Sequence, residues 1–328
     1  MKKQFTLFLF IALALLFFGV GQQIFAQEIV LKAVTAWPQN IADNDGLFVL
    51  QEKVNERGAG KVRIEYLGGP EVIPMMELIN AVKSGVVDIG WMSAGYTVSN
   101  VPAANAIKIS RYTPQEAREN GVADLWNEIY ETKANAHFLG KGMPGVEFHL
   151  YTIFELDSAD DFKGKPIRVT PSYQDFVKAL GASTITTDPA DLYSALERGI
   201  VEGYGWAEFG ISDWGWDEQT KYIIDPGFYQ VDTLGLINLD KWNSLPDDVK
   251  EIISTAAIEV EAEMTDHFDK IFKEDREMLT GKGIEVIELP EEEAEKYRDI
   301  AYKAVMDQVL KTSPEYGQRI KELLFDEF

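Results

Sequence analysis

Alternating apolar and polar positions predict two α/β units in succession. In the first unit, strands at 28–35, 61–67 and 86–92 alternate with helices at 46–56 and 75–83. Strands separated by helices in this order pair in parallel, because the crossover helix returns the chain to the same edge of the sheet. The chain is therefore expected to begin with a parallel sheet covered by helices.

The same alternation returns in the middle of the chain. Its predicted elements are strands at 146–153, 166–170, 182–186 and 200–206, and helices at 172–180 and 189–198. A further strand is predicted at 232–238, and a helical apolar stripe then runs from residue 246 to residue 273 or beyond. A strand at 284–287 and helices at 290–310 and 314–325 close the chain. No Gly/Ser-rich or Pro-rich linker separates the two units, so strands should cross between them as hinges.

The N-terminal segment has the features of a signal peptide. Lys2 and Lys3 precede an apolar run at 5–20, which is followed by the small-residue stop Ile24-Phe25-Ala26. The run is shorter than the roughly 20 residues of a membrane-spanning helix. Cleavage near Ala26 would leave a protein of the periplasm, without stable membrane insertion. The chain has no cysteine, so neither a lipid nor a disulfide is expected and the fold must depend on its core.

The formal charge of −23 restricts the possible partners. Removing the two lysines of the leader would take the charge to −25. Such a chain repels the phosphates of nucleic acids and anionic lipid surfaces, so no nucleic acid is expected as a partner. The same field opposes an anionic ligand. An anion site would therefore need a buried arginine or a helix N-terminus.

Catalytic motifs are missing from the sequence. The three histidines His137, His149 and His267 stand in dissimilar segments, and no nucleophile elbow or zinc-binding helix motif occurs. The glycines at 58–60 lack the spacing of a phosphate-binding loop. We expect structural roles for the histidines, no cofactor and no metal. An enzyme is the disfavoured alternative.

Arg168 is the most informative charged residue, because it interrupts the short apolar strand at 166–170. Its planar guanidinium can hold a carboxylate through two parallel hydrogen bonds. The N-terminus of the helix predicted after Thr170 would add partial positive charge at the same place. A strand arginine that faces water is the alternative, and the pattern alone leaves both open.

Aromatic residues stand at the ends of several predicted strands. In parallel α/β sheets, the carboxyl ends of the strands line the ligand crevice. Core packing is the alternative for each ring, and it is favoured for Trp91. The predicted ligand-binding residues beside Arg168 are Trp37, Ser93, Tyr96, Phe148, Tyr151, Trp206, Phe209 and Asn238.

The segment at 160–169, DDFKGKPIRV, resembles the signature of the solute-binding subunits of tripartite ATP-independent periplasmic (TRAP) transporters, the DctP family. Further similar stretches stand in the family's order: LINAVKSGVVDIG at 78–90, LGA at 180–182, DLYSALERGIVEG at 191–203 and NLDKWNSLP at 238–246. The resemblance spans essentially the whole mature chain.

This resemblance implies an α/β clamshell of two lobes, each a mixed sheet flanked by helices, with strand hinges and a long helix that spans both lobes. Lobe I would contain residues 27–146 and about 236–275, and lobe II would contain residues 147–235 and about 276–328. The protein would bind a small organic acid anion by lobe closure and deliver it to membrane permease subunits. Arg168 matches the family arginine that holds the carboxylate. A monomer is expected.

Two departures from the family pattern narrow the expected ligand. Members that bind sialic acid carry a second arginine about 20 residues before the first, where this chain reads Glu147-Phe148-His149. With Trp206 as an aromatic wall, this favours a monocarboxylate with an aromatic or hydrophobic body, such as an indole or phenyl acid. Two alternatives stay open: a 2-oxo or 2-hydroxy acid bound together with a metal ion through Glu208, and an ectoine-type ligand. A sensory receptor could also replace the permease as the downstream partner.

Overall fold

Two β-sheets organise the protein, as the computed structural model shows for residues 28–325, the part of the chain it describes. The strands of the first sheet are β1 (Ile29–Thr35), β2 (Val62–Gly68), β3 (Ile89–Ser93), β4 (Ala136–Lys141) and β10 (Thr233–Asn238). They lie in the order β2-β1-β3-β10-β4. Strand β1 pairs in parallel with β2 and β3, as predicted, whereas β10 runs antiparallel to β3 and β4.

The second sheet is also mixed and has six strands. Its strands are β5 (Glu147–Thr152), β6 (Pro166–Val169), β7 (Ser183–Thr186), β8 (Gly203–Ala207), β9 (Tyr222–Gln230) and β11 (Glu285–Glu288). They lie in the order β11-β9-β5-β8-β6-β7. Strand β6 runs parallel to β7 and β8, so the carboxyl ends of these three strands meet at one edge. Arg168 lies in β6 at this edge.

Helices flank both sheets. Within residues 28–325 they are α1 (Asp45–Arg57), α2 (Leu78–Lys83), α3 (Pro114–Glu119), α4 (Val122–Ala134), α5 (Gln174–Ala179), α6 (Pro189–Glu197), α7 (Leu239–Ser244), α8 (Asp247–Gly281), α9 (Glu291–Thr312) and α10 (Pro314–Phe325). Among these helices, none has the length and apolar character needed to cross a membrane. The predicted signal peptide at 1–26 lies outside the described residues.

Helix α8 connects the two sheets. Its first two thirds bury Val249 to Phe268 in the cluster that covers the first sheet. Near its end, Leu279 joins the cluster of Tyr151 and Ile223 from the second sheet. The predicted helix starting at residue 246 is confirmed, and it continues to Gly281. One rigid element therefore packs against both halves of the molecule.

Besides α8, the chain crosses between the sheets at two adjacent places. Residues 142–146 connect β4 to β5, and Val231 and Asp232 connect β9 to β10. The two crossings are joined by a hydrogen bond from the Val231 N–H to the Val146 carbonyl at 2.8 Å. We propose these paired crossings as the hinge between the lobes. The lobe boundaries given above stay a prediction.

Several elements differ from the sequence prediction. Strand β4, strand β9 and helices α3, α4 and α7 were not predicted. Strand β9 was not recognised in the sequence because it contains Pro226-Gly227, a pair that usually breaks strands. The third strand begins at Ile89 rather than at Val86, whose side chain is 68% exposed.

Trp91 fills a space that three glycines leave open. The ring is 2% exposed, and its Nε1–H donates to the Asp43 carbonyl at 2.8 Å. A Cβ atom added at Gly46, Gly142 or Gly235 would lie 2.6–2.7 Å from the Trp91 ring. The favoured core role of Trp91 is thus confirmed.

We expect Gly235→Ala to destabilise the protein by about 1–3 kcal/mol, because the added methyl group would overlap a ring that is held in place by its hydrogen bond. The shift of the urea unfolding midpoint measures this cost. Gly281→Ala is the matched control, since nothing lies within 4 Å of the added Cβ. Equal midpoints for the two variants would show that the Trp91 ring can move aside.

Candidate functional site

Arg168 is a buried cation with no counterion among the described residues. Its side chain is 1% exposed. Nε and Nη2 donate to the Thr187 carbonyl at 3.1 and 3.0 Å, and Nη1 donates to the Tyr173 hydroxyl at 3.4 Å. Within residues 28–325, no Asp or Glu oxygen lies within 4.0 Å of the guanidinium. A guanidinium has five N–H groups, so donors remain for an anion.

The neighbours of Arg168 hold it at the carboxyl edge of the second sheet. Thr187 follows β7, and the Tyr173 hydroxyl donates to the Gly205 carbonyl of β8 at 2.9 Å. The Tyr173 ring lies 6.2 Å from the ring of Phe148, which is half-buried. The guanidinium therefore lies at the strand ends where α/β sheets bind ligands, with an aromatic ring nearby.

A polar and aromatic group lies at the corresponding edge of the first sheet. The Ser93 hydroxyl, at the end of β3, donates to Asp232 Oδ1 at 2.5 Å, and the Gly95 N–H donates to Asp232 Oδ2 at 3.0 Å. The half-buried rings of Trp37 and Tyr96 lie 5.9 Å apart. Burial, with the charges of Asp232 and Asp43, raises the pKa of Tyr96 to about 12. Ser93, Trp37 and Tyr96 therefore lie together at this edge.

Lys108 connects the half of the molecule that contains the first sheet to the loop that follows Arg168 in the second. It belongs to the 3-10 helix Pro102–Ile109, and its Nζ donates to Asn105 Oδ1 and to the Ser172 carbonyl, four residues after Arg168. The ammonium also lies 4.7 Å from the centre of the Tyr229 ring. Burial lowers the pKa of Lys108 to about 8, although the charge of Asp232 opposes this shift.

Trp206, near the end of β8, packs against two further tryptophans. Its half-buried ring contacts the edges of Trp214 and Trp216, with ring centres at 6.2 and 4.8 Å. These rings cover the second sheet, and Trp214 is 42% exposed. The structure thus gives Trp206 a tryptophan cluster as its immediate surroundings.

Three other predicted site residues make contacts that are typical of the core or of a helix cap. Tyr151 is fully buried, stacks on Tyr204 at 5.2 Å and donates to the Ala207 carbonyl. Phe209 stacks on Phe268 of α8 at 5.8 Å. Asn238 caps α7 by accepting from the Lys241 N–H at 2.8 Å. Asn238 is the last residue of β10, whereas Ser93 pairs with the first residue of that strand. The full length of β10 therefore separates Asn238 from Ser93.

Glu208, the residue of the metal-dependent alternative, already faces a cation. Its Oε1 accepts the Glu147 N–H at 3.2 Å, and its Oε2 lies 3.6 Å from His149 Nε2. Burial alone would lower the pKa of His149, but the carboxylates of Asp225 and Glu208 outweigh it and raise the pKa to about 9. In the described part of the chain, no three His, Cys, Asp or Glu side chains are grouped to hold a metal. A protonated imidazole beside Glu208 does not fit a metal ligand.

The predicted structural roles of the histidines agree with their contacts. The ring of His137 stacks on Trp242 at 4.3 Å, and His267 lies 3.0 Å from Asp45 on the outer face of α8. His149 Nδ1 lies 2.9 Å from Asp225 Oδ1.

Sequence reasoning missed four charged or polar residues of the site. They are Asp43, Lys108, Tyr173 and Asp232. Lys108 interrupts the apolar run at 103–109, the same signal that identified Arg168. Asp43, in contrast, lies in a polar loop and carries no signal of its own. The four residues are far apart in the sequence, so the sequence does not indicate that they belong to the same site.

The family described as bacterial extracellular solute-binding protein, family 7 (DctP), matches residues 33–312. A similar relative is described as a monocarboxylate 2-oxoacid-binding periplasmic protein of Nostoc sp.. It is 23% identical over 322 residues, which cover 90% of this chain and 88% of the relative.

Solved structures share the fold. A TRAP periplasmic solute-binding protein from Desulfovibrio salexigens with bound orotic acid has a TM-score of 0.76 at 20% identity, covering 90% of this chain and 97% of the other. One from Bordetella bronchiseptica, with calcium and picolinate in its active site, has a TM-score of 0.73 at 20% identity, covering 92% and 93%. The predicted two-lobe α/β fold is confirmed.

Proposed function

Because the chain belongs to bacterial extracellular solute-binding protein family 7, the solute-binding proteins of TRAP transporters, we propose that it captures a small organic carboxylate and delivers it to the membrane subunits of such a transporter. Proteins of this family act in the periplasm and are not enzymes, which agrees with the missing catalytic motifs. Capture changes the ligand's location and breaks no covalent bond.

The unneutralised guanidinium of Arg168 is the observation that carries the proposal. A buried cation without a counterion costs several kcal/mol, and an incoming carboxylate removes most of that cost. The remaining N–H donors of Arg168 give this carboxylate a directional partner. The ligands named for the similar proteins, orotic acid and picolinate, also carry one carboxylate each on a flat body.

The surroundings support an apolar body on the ligand. The second arginine of sialic-acid binders has no equivalent at 147–149, where Glu147, Phe148 and His149 stand. The half-buried rings of Phe148 and Trp37 each pack against both large hydrophobic clusters of the molecule. One strong cation with aromatic rings around it favours a monocarboxylate over a dicarboxylate.

Lobe closure follows from this arrangement. Arg168 lies in the second sheet, whereas Trp37, Ser93 and Tyr96 lie at the edge of the first. A ligand that touches both groups gains contacts only when the lobes approach, so it shifts the population towards the closed form. The membrane subunits would then receive a protein whose shape reports that it is loaded.

The relatives from Nostoc and Bordetella motivate the alternative of a 2-oxo acid bound with a metal. The surroundings of Glu208 do not favour it here, because His149 supplies the positive charge that a metal would bring. Capture without a metal is therefore our proposal.

We expect apolar monocarboxylates, such as 3-phenylpropionate and indole-3-acetate, to raise the melting temperature of the purified protein. Ligand at 100 times its dissociation constant stabilises the folded state by about 2.7 kcal/mol. The corresponding amides are matched controls without the charge and should give no shift. Succinate should shift the melting temperature less, and EDTA should leave each shift unchanged. If no carboxylate produces a shift, the proposed function is wrong.

A further inference from the structure

Thr187 carries a buried hydroxyl group that has no partner. The residue follows β7 at the carboxyl edge of the second sheet. Its Oγ1 is enclosed, and no hydrogen-bond partner lies within reach of it in the described part of the chain. Buried polar atoms without partners are rare in folded proteins, because each one has lost its hydrogen bonds to water without replacement. A group that binds beside Thr187 would restore the missing hydrogen bond.

The same residue holds the guanidinium of Arg168. The Thr187 carbonyl accepts hydrogen bonds from Arg168 Nε and Nη2 at 3.1 and 3.0 Å. Only a few covalent bonds separate Oγ1 from that carbonyl, so the hydroxyl lies beside the guanidinium. A hydroxyl without a partner and the remaining N–H groups of a buried arginine therefore share one place. Both kinds of group can donate hydrogen bonds to a carboxylate.

The strand register places these groups at the edge of the sheet. Strands β6 and β7 are parallel, with Arg168 opposite Ile185 and Val169 opposite Thr186. Thr187 lies beyond this last pair. To reach the Thr187 carbonyl, the Arg168 side chain must extend along the strands towards their carboxyl ends. The guanidinium and the hydroxyl therefore lie where α/β sheets bind ligands.

Helix α6 begins directly after Thr187. Its first residue is Pro189, and its N-cap residue, Asp188, makes no side-chain hydrogen bond to the helix. The amino end of a helix carries partial positive charge. The helix that was expected to supply such a charge, the one after Thr170, is α5, which has only six residues and sums few peptide dipoles. The amino end of α6 instead adds positive field beside Arg168.

The acidic residues at the start of α6 do not neutralise Arg168. Asp188 and Asp191 are both exposed to solvent. Within residues 28–325, neither carboxylate lies within 4.0 Å of the guanidinium. Three features that favour an anion thus meet at Thr187: a buried cation, a hydroxyl without a partner and the amino end of a helix.

We propose that the carboxylate of the ligand binds the Arg168 guanidinium and accepts a further hydrogen bond from the Thr187 hydroxyl, at the amino end of α6. This inference rests on the proposed function and adds Thr187 to its carboxylate site as a second donor. Both groups are enclosed, so the carboxylate would reach them while the lobes are apart and would be covered when the lobes close.

Titration calorimetry of Thr187→Val with 3-phenylpropionate, indole-3-acetate and succinate tests the inference. Valine keeps the branched shape of threonine and removes the hydroxyl. We expect each acid that binds the wild-type protein to bind Thr187→Val at least about tenfold more weakly, because hydrogen bonds to charged groups are the stronger ones. Thr187→Ser keeps the hydroxyl and should retain the wild-type affinity within about threefold. Thr186→Val, at the exposed end of β7, is the matched control and should stay within about twofold.

The stability of Thr187→Val separates a ligand contact from a structural role. A hydroxyl without a partner contributes no hydrogen bond to the fold, and its removal relieves a desolvation cost. Without added acid, the urea unfolding midpoint of Thr187→Val should therefore equal or exceed that of the wild type. A hydroxyl that supports the strand end would lower the midpoint and the affinity together when it is removed.

The other outcomes contradict the inference. Unchanged affinity in Thr187→Val, equal losses of affinity in Thr187→Val and Thr187→Ser, or a lowered midpoint in Thr187→Val would each overturn the role of the hydroxyl while the proposed function stands. If none of the three acids binds the wild-type protein, this inference fails together with the proposed function.

Discussion

Arg168→Met is expected to abolish ligand capture while the protein stays folded. Losing one partner of a buried hydrogen-bonded charge pair costs about 2–5 kcal/mol, which weakens binding by roughly 30-fold to several thousand-fold. Methionine is apolar and replaces the aliphatic part of the arginine side chain without the guanidinium. The melting-temperature shift produced by a carboxylate ligand should therefore disappear, and calorimetry should show no saturable binding at concentrations that saturate the wild type.

The ligand-free stability of Arg168→Met separates binding from folding. The variant loses the donors to the Thr187 carbonyl and the Tyr173 hydroxyl, but it also removes a buried charge that has no counterion. Replacing buried charge by apolar volume is often neutral or stabilising, so the unfolding midpoint should stay near that of the wild type. Arg198→Met, at an exposed arginine, is the control for both measurements. Unchanged affinity in Arg168→Met would mean that the carboxylate binds elsewhere.

Asp225→Asn is expected to cause the largest loss of stability. The Asp225 carboxylate lies 2.9 Å from His149 Nδ1 and 2.9 Å from Arg276 Nη1, and both partners are largely buried. The substitution would remove the anion between His149 and Arg276 and leave His149 with only the more distant Glu208 carboxylate, at 3.6 Å. Breaking a buried pair in this way costs about 3–5 kcal/mol.

Urea unfolding of Asp225→Asn measures this loss. Asp160→Asn is the matched control, because Asp160 pairs with Lys163 at the exposed surface, and its midpoint should not move. A midpoint of Asp225→Asn equal to that of the wild type would mean that this charge group contributes no stability.

The same group predicts how stability depends on pH. The partners His149 and Arg276 outweigh the effect of burial and lower the pKa of Asp225 to about 2, so its contribution is complete above about pH 4 and is lost as the pH falls through about 2. The raised pKa of His149, about 9, has the opposite sense: its contribution is complete below about pH 6.5 and is lost as the pH rises through about 9. The group is therefore fully stabilising from about pH 4 to about pH 6.5. An unfolding midpoint that rises between about pH 7 and about pH 10 would contradict this.

The candidate site residues show which positions can be selected from sequence alone. Arg168, Trp37, Ser93 and Tyr96 were predicted because each stands at the end of a recognisable strand, and the carboxyl ends of parallel strands meet at one edge. The rule did not distinguish the sheet edge from the core for Tyr151, which is fully buried in the consecutively buried second half of β5. Which face of a strand is covered depends on the element packed against it.

The rest of the site required the tertiary structure. Asp43 and Asp232 are 189 positions apart in the sequence, and their mutual repulsion exists only because β10 brings Asp232 beside the loop after β1. Lys108 reaches the loop after Arg168 through a 3-10 helix that the apolar pattern did not identify. Charge pairing of this kind has no local sequence pattern.

By itself, the sequence determined the α/β class, the family and the strand that carries Arg168, because each is written in contiguous residues: periodic apolar positions and the stretch at 160–169. The tertiary structure alone decided which charges have partners. It gave His149 two carboxylates, and within residues 28–325 it gave Arg168 none. The reason is physical: burial makes each charge depend on its nearest neighbours in space, and those neighbours come from remote segments of the chain.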